Sequence, residues 1–324
     1  MATIRGAMPP EDPPARAASL LARARSGDKR GIARLLSIVE NDEPGAAEAM
    51  RELYPRTGHA EILGVTGPPG GGKSTLVNRL AGAYRERASR VAIVAVDPSS
   101  PFSGGAILGD RIRMRERFLD EGIFIRSMAS RGHAGGLARA TARVVNVLDA
   151  LGTDVVIVET VGVGQEEVDV IRVVDTVCLV TVPGLGDDIQ AIKAGILEIA
   201  DVLVVNKADR PGADETARDL AQMLSLAKDR PWKPPIVRTS AQTGAGVPEL
   251  VDAIAKHRSW SLSSGEHRER RRAAARAEVE TLLRETLLRE LAGRIGEARV
   301  DAAVARVAER SLDPYAAVDE LLGR

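Results

Sequence analysis

Eight consecutive residues, Gly67-Pro68-Pro69-Gly70-Gly71-Gly72-Lys73-Ser74, match the pattern of a glycine-rich turn that wraps a phosphate between a strand and a helix. Glycines let the backbone curl so that successive N–H groups face one anion, and the N-terminus of the following helix adds its dipole. Pro68 and Pro69 carry no N–H, so the donors must come from Gly70, Gly71, Gly72, Lys73, Ser74 and Thr75, with Gly67 closing the strand. Lys73 can reach the β- and γ-phosphates, and Ser74 can offer its hydroxyl to Mg²⁺.

Further along the chain, apolar runs end in other residues able to do chemistry. One stops at Asp97-Pro98-Ser99-Ser100, with a glycine-rich stretch leading on to Asp110, and another at Glu159-Thr160-Val161-Gly162. Mg²⁺ takes oxygen ligands and keeps several waters, so Asp97, Asp110 and Glu159 are candidates to hold it, directly or through water. Each alone is also compatible with a helix cap or a solvated loop acid. Gly162 would present its N–H to a γ-phosphate, which would make the following loop sensitive to that group. Gln165 is near enough in sequence to orient an attacking water, or is an exposed loop residue. A later run ends in Asn206-Lys207-Ala208-Asp209, where a carboxylate can accept both N1–H and N2–H₂ of guanine. Adenine lacks that pair of donors and would leave the acid unsatisfied. Ser240-Ala241-Gln242 follows the last such run, placed for a backbone contact to guanine O6. The order of these motifs predicts a GTP site.

The elements that must position these residues can be read from hydropathy. Short β-branched runs at 62–66, 91–96, 155–158, 177–182, 202–205 and 236–239 alternate with helical stretches. Runs apolar on both faces with helices between them predict a doubly wound, mostly parallel α/β sheet. Before residue 57, Ala15–Ser26, Lys29–Glu40 and a third segment that Pro44 starts and that ends before Pro55 read as helices behind a proline-rich start. After Ser259, Val279, Leu283, Leu287, Leu291 and Ile295 recur every fourth residue, an apolar stripe serving either internal packing or a dimer seam. Three regions are thus expected: a helical arm (1–56), a nucleotide domain (57–259) and a helical extension (260–324). With 45 basic and 45 acidic residues the net charge is zero, which argues against a partner that is nucleic acid or acidic lipid. Four scattered histidines and a lone Cys178, read as core, build no local metal cluster. A single thiol fits a reducing compartment, and the longest uncharged apolar stretch, 176–186, is far short of the roughly 20 residues of a membrane helix. A cytoplasmic location is expected.

The motifs in this order resemble the MeaB/ArgK group of GTPases, accessory proteins of cobalamin-dependent acyl-CoA mutases. The likeness extends to Gly27-Asp28-Lys29-Arg30, to Ala95–Ser100, Gly104–Asp110 and Glu159–Gln165, to Gly186–Lys193, and to Asp313-Pro314-Tyr315-Ala316-Ala317. Glutamate at position 159, where most GTPases carry aspartate, is a trait of this group. The resemblance implies a P-loop GTPase core with a C-terminal extension used for homodimerisation. It also implies a chaperone role in which GTP binding and hydrolysis gate adenosylcobalamin loading into a mutase and exchange of damaged cofactor. Segment 186–193 resembles a third mobile loop that couples nucleotide state to the partner, making Gln190 and Lys193 candidates. The chain departs from the best-matching mutase partners at Pro101-Phe102-Ser103 and at Ser127–His133, both expected in switch or partner-facing loops. Alternative readings are an ATPase or kinase serving basic amino-acid transport, against which Asn206–Asp209 speaks, and a metal-inserting GTPase, which usually carries Cys/His ligands. A module that binds GTP without turnover is a third.

Overall fold

The computed structural model describes residues 13–97, 120–129, 136–160, 173–184, 199–226 and 230–324. Seven strands pair in a single sheet: β1 (Glu61–Thr66), β2 (Val91–Asp97), β3 (Ile123–Ala129), β4 (Val155–Thr160), β5 (Thr176–Thr181), β6 (Val202–Val205) and β7 (Ile236–Arg238). Their order is β3-β2-β4-β1-β5-β6-β7, and every pairing is parallel. Six of them are the runs expected from the sequence, to within two residues at each end. The seventh, β3, was not expected: Ser127, Met128 and Ala129 belong to this edge strand rather than to a loop. Arg126 interrupts its apolar run, yet the backbone pairs with β2 from Val91↔Ile123 to Asp97↔Ala129.

The helices are α1 (Pro13–Arg25), α2 (Lys29–Glu40), α3 (Ala46–Leu53), α4 (Lys73–Glu86), α5 (Gly136–Ala150), α6 (Ala213–Leu226), α7 (Val247–Ser264), α8 (Glu266–Ile295), α9 (Glu297–Ala308) and α10 (Pro314–Leu322). Successive strand residues point to opposite faces, so both faces must be covered. On one face Ala92, Val94, Val96, Val156 and Val158 share a core with Leu21 of α1, Leu35 and Leu36 of α2, Leu53 of α3 and Val144 of α5. On the other, Leu63, Val65, Ile157, Cys178 and Val204 pack against Leu76 and Leu80 of α4 and Leu250 and Ile254 of α7. Cys178 is fully buried there, consistent with a core role. The N-terminal helices are thereby built into the layer that covers β2 and β4. Each fully buried leucine contributes roughly 1.5–3 kcal/mol, which is what holds them.

Polar groups set the joints. Asp28 caps α2 by accepting the Arg30 N–H at 2.9 Å, which accounts for the Gly27–Arg30 block locally. Lys29 reaches the carbonyls of Asp120 and Ile123, tying α2 to the entry of β3. Arg126 of β3 returns to Glu40 at the end of α2. Asp149 of α5 accepts the N–H groups of Gly58 and Ala60 at 2.5 and 2.9 Å, fixing the lead into β1.

Contacts divide the chain into two compact units, Met1–Arg268 and Glu269–Arg324. Within the second, α9 and α10 pack together, each with one buried alanine, Ala303 and Ala317, and are joined by Arg306 and Glu320 at 2.7 Å. Asp313 caps α10 by accepting the N–H groups of Tyr315 and Ala316, with Pro314 in its first turn. Tyr315 is left 85% exposed. Among the described residues no helix is long and apolar enough to cross a membrane.

Candidate functional site

All seven strands run the same way, so their carboxyl ends lie along one edge of the sheet, where open α/β folds bind ligands. β1 sits between β4 and β5, in register Val65↔Glu159 and Thr66↔Leu179. The turn that leaves β1 at Gly67 therefore emerges beside Glu159 on one side and the end of β5 on the other. Gly67 has φ +144°, and a Cβ there would stand 2.1 Å from the Val180 carbonyl oxygen. Only glycine allows that approach of turn to strand. Gly70 and Gly72 also take positive φ, and Gly72 starts α4 in the left-handed region. Of the expected donors, the Gly71 N–H already bonds the Pro68 carbonyl at 3.2 Å, closing the turn on itself. Thr75, in the first turn of α4, is exposed.

Lys73 is buried, and its ammonium donates to the Gly67 and Pro68 carbonyls at 2.7 and 3.0 Å, so its charge sits inside the loop. Ser74 Oγ donates to Glu159 Oε1 at 2.6 Å, and both side chains are buried. One strand position on, Thr160 and Thr66 join their hydroxyls at 2.9 Å, pinning the end of β4 to the base of the turn. The Ser74–Glu159 pair supplies a neutral and an anionic oxygen in contact, the donor types a hard divalent cation takes. Among the described residues no group of three His, Cys, Asp or Glu side chains could hold a metal alone. A cation at this pair would complete its shell with water and phosphate oxygens, as Mg²⁺ does.

The base-side motif is locked to the phosphate-side motif. Asn206, 1% exposed, donates Nδ2 to the Gly71 carbonyl at 2.8 Å. Its Oδ1 accepts the Ala241 N–H at 3.1 Å and the Thr239 hydroxyl at 3.2 Å. Lys207, in the left-handed region at φ +57°, donates to the Gly70 carbonyl at 2.7 Å. Asp209 is exposed, and the Ser240 side chain, then its own backbone N–H, hold its carboxyl below the ordinary aspartate range. It is thus an anion with open access, as a guanine acceptor must be. The Ser240 N–H bonds the Ala245 carbonyl at 2.9 Å, folding 240–245 into a turn that leaves Gln242 exposed.

Hydrogen bonds thus tie Gly67, Gly70, Gly71 and Lys73 of the turn to Asn206, Lys207 and Ala241 of the base side, while Ser74 and Glu159 form a pair of their own at the start of α4. Gly72 bonds Leu76 of α4, and Ser240 bonds Ala245 and Asp209. The backbone of Asp97 ends β2 at the same edge, while its side chain lies outside the described residues, as do Asp110, Gly162, Gln165, Gln190 and Lys193. Two contributors had no motif to announce them. Thr66 reads in the sequence as one more β-branched strand residue. Arg79 reads as an exposed helix arginine, yet it donates to the carbonyls of Ala241 and Gln242.

A parallel sheet with a phosphate-wrapping turn after its central strand, joined to an Asn-Lys-x-Asp end two strands along, defines a P-loop GTPase. The family model for "Methylmalonyl Co-A mutase-associated GTPase MeaB" matches residues 32–295, and the chain belongs to that family. It is 49% identical over 307 residues to a Pyrococcus abyssi protein named as a GTPase, covering 94% of this chain and 95% of that one. To the GTPase ArgK of Escherichia coli it is 37% identical over 257 residues, 76% of this chain and 78% of the other. Among solved structures, that of an LAO/AO transport system kinase superposes with a TM-score of 0.70 at 26% identity, covering 98% of this chain and 99% of that one. The protein is a GTPase of this family.

Proposed function

We propose that this GTPase binds GTP with Mg²⁺ and uses its hydrolysis to gate the loading of adenosylcobalamin into an acyl-CoA mutase, methylmalonyl-CoA mutase or a relative. The observation that carries the client is the family itself, whose description names that mutase. For the nucleotide, the support is the bonded network at the sheet edge. Amides of the turn and the start of α4 receive the β-phosphate, and Lys73 supplies positive charge toward the β- and γ-phosphates. Ser74 and Glu159 hold Mg²⁺, Ser74 through its hydroxyl and Glu159 directly or through water. A Mg²⁺ held by this pair would supply positive charge to the phosphate oxygens. Asp209 accepts from the guanine edge, and segment 240–242 meets O6 through its backbone. Asp97, Asp110, Gly162, Gln165, Gln190 and Lys193 complete the proposed site as second metal ligands, γ-phosphate sensor, water-orienting residue and coupling residues respectively.

The same reading assigns 1–56 to a helical arm, 57–259 to the nucleotide domain and 260–324 to a dimerisation extension. Its support is the stripe Val279, Leu283 and Leu287, exposed by 63, 57 and 48% and spaced to line one helix face. A second copy of the chain is the occupant proposed for it.

The deciding experiment is steady-state GTP turnover with saturating Mg²⁺, alone and with methylmalonyl- or isobutyryl-CoA mutase from the same cell, with adenosylcobalamin transfer followed by absorbance. Stimulated turnover together with nucleotide-dependent transfer supports the role. Turnover indifferent to either mutase, with transfer independent of GTP, removes it and leaves the GTPase without this client.

A further inference from the structure

Arg79 leaves α4 six residues after Lys73, on the part of the helix that faces the base side of the site rather than the phosphates. Its Nε donates to the Ala241 carbonyl at 2.9 Å, and its Nη2 to the Gln242 carbonyl at 2.6 Å. A planar guanidinium holding two successive backbone carbonyls removes rotational freedom from the peptides to which they belong. In a trans peptide the C=O and the following N–H point in opposite directions, and no cis peptide occurs among the described residues. Turning the Ala241 carbonyl toward α4 therefore turns the Gln242 N–H away from it. The preceding amide is already engaged, because the Ala241 N–H donates to Asn206 Oδ1. The Gln242 carbonyl, held in the same way, turns the Thr243 N–H away from α4 as well, and of these two amides that of Gln242 is the one within segment 240–242, which the guanine reading sets against O6.

We infer that Arg79 is a positioning residue for guanine selection: by holding the Ala241 and Gln242 carbonyls it presents the Gln242 N–H to guanine O6. The inference rests on the guanine site proposed above and adds to it the device that aims its O6 donor. Asp209 reads the N1 and N2 donors of the base, and Arg79 indirectly sets the reading of the remaining acceptor. The same side chain joins the helix that follows the phosphate turn to the base loop, in parallel with the Asn206–Gly71 and Lys207–Gly70 bonds.

The test uses the full chain and two diphosphates, GDP and 2-aminopurine riboside diphosphate, which lacks O6 and, with it, the N1 proton, so that only the change between wild type and variant for each nucleotide reports on O6. Wild type should bind GDP more tightly. Arg79→Met should weaken GDP about tenfold, the cost of one misaimed hydrogen bond, and leave the 2-aminopurine nucleotide within about twofold. Arg79→Lys, which keeps the charge and one donor direction, should recover part of the loss. Thermal melts of the free proteins accompany the titrations. An equal loss for both nucleotides in Arg79→Met would show that Arg79 merely steadies α4, and overturns the inference. So does undiminished GDP binding. A wild type that binds the two nucleotides equally would instead defeat the guanine reading itself, and this inference with it.

Discussion

Two glycines three residues apart in the phosphate turn should respond very differently to the same added methyl group. At Gly70, φ is +75° and a Cβ would meet nothing within 4 Å, so alanine there incurs only the left-handed backbone penalty, about 1–2 kcal/mol. At Gly67, φ is +144° and the Cβ would stand 2.1 Å from the Val180 oxygen of β5. Carbon and oxygen rarely approach closer than about 3.3 Å, so turn and strand must separate by more than 1 Å. The backbone penalty there is about 1–3 kcal/mol, and forcing apart a packed junction adds about 1–3 kcal/mol more. Gly67→Ala should therefore cost about 2–6 kcal/mol, a large share of a typical stability of 5–15 kcal/mol. Urea unfolding of the nucleotide-free protein measures this. Trp232 and Trp260, the two tryptophans of the chain, both lie in the first unit and serve as its fluorescence reporters. Variants whose unfolding free energies agree to within about 1 kcal/mol would refute the claim that the Gly67–Val180 approach, rather than backbone freedom alone, demands glycine.

Lys73→Ala should lower GTP turnover at least about 100-fold by removing the cation held inside the turn, and unchanged turnover would place the activity elsewhere. Asp209→Asn should weaken GDP at least about tenfold and improve xanthosine diphosphate, whose 2-carbonyl suits the new amide; calorimetric titration of both nucleotides decides. Glu61 is buried at the start of β1 and burial, against Arg258, lifts its carboxyl above the ordinary value of 4.5. The native state then binds a proton that the unfolded chain has released, so stability falls as pH rises from about 4.5 through the raised value. Glu61→Gln should accordingly melt higher than wild type at neutral pH, with the gain shrinking to nothing below pH 4.5; a gain independent of pH would contradict this.

Much of this protein is written in stretches short enough to read directly. The glycine-rich turn, Asn206–Asp209 and the Glu159 block are local motifs, and their chemistry follows from residue type and spacing. Six strands announced themselves because both faces of the sheet are covered, which demands unbroken apolar runs such as Val202–Val205. Helix α2 was legible because the spacing of Ile32, Leu35, Leu36 and Val39 is a local signal too.

What the sequence did not disclose depends on partners distant in the chain. Edge strand β3 is polar where Arg126 meets Glu40, 86 residues earlier, so its pattern is broken by a contact no window contains. The order β3-β2-β4-β1-β5-β6-β7 is likewise invisible locally, and it alone sets Glu159 beside Ser74 across 85 residues. Asn206 is legible as part of a base-reading motif, but its bond to Gly71, 135 residues away, makes it also the strut between base and phosphate sites. Arg79 is the sharpest case. By composition it is one exposed helix arginine among many, and only the return of the chain 162 residues later brings to it the carbonyls it holds. Residue types and spacing determined which chemistry this chain carries; the tertiary structure decided which groups aim it, because hydrogen bonds that orient a loop are made by whatever the fold brings alongside.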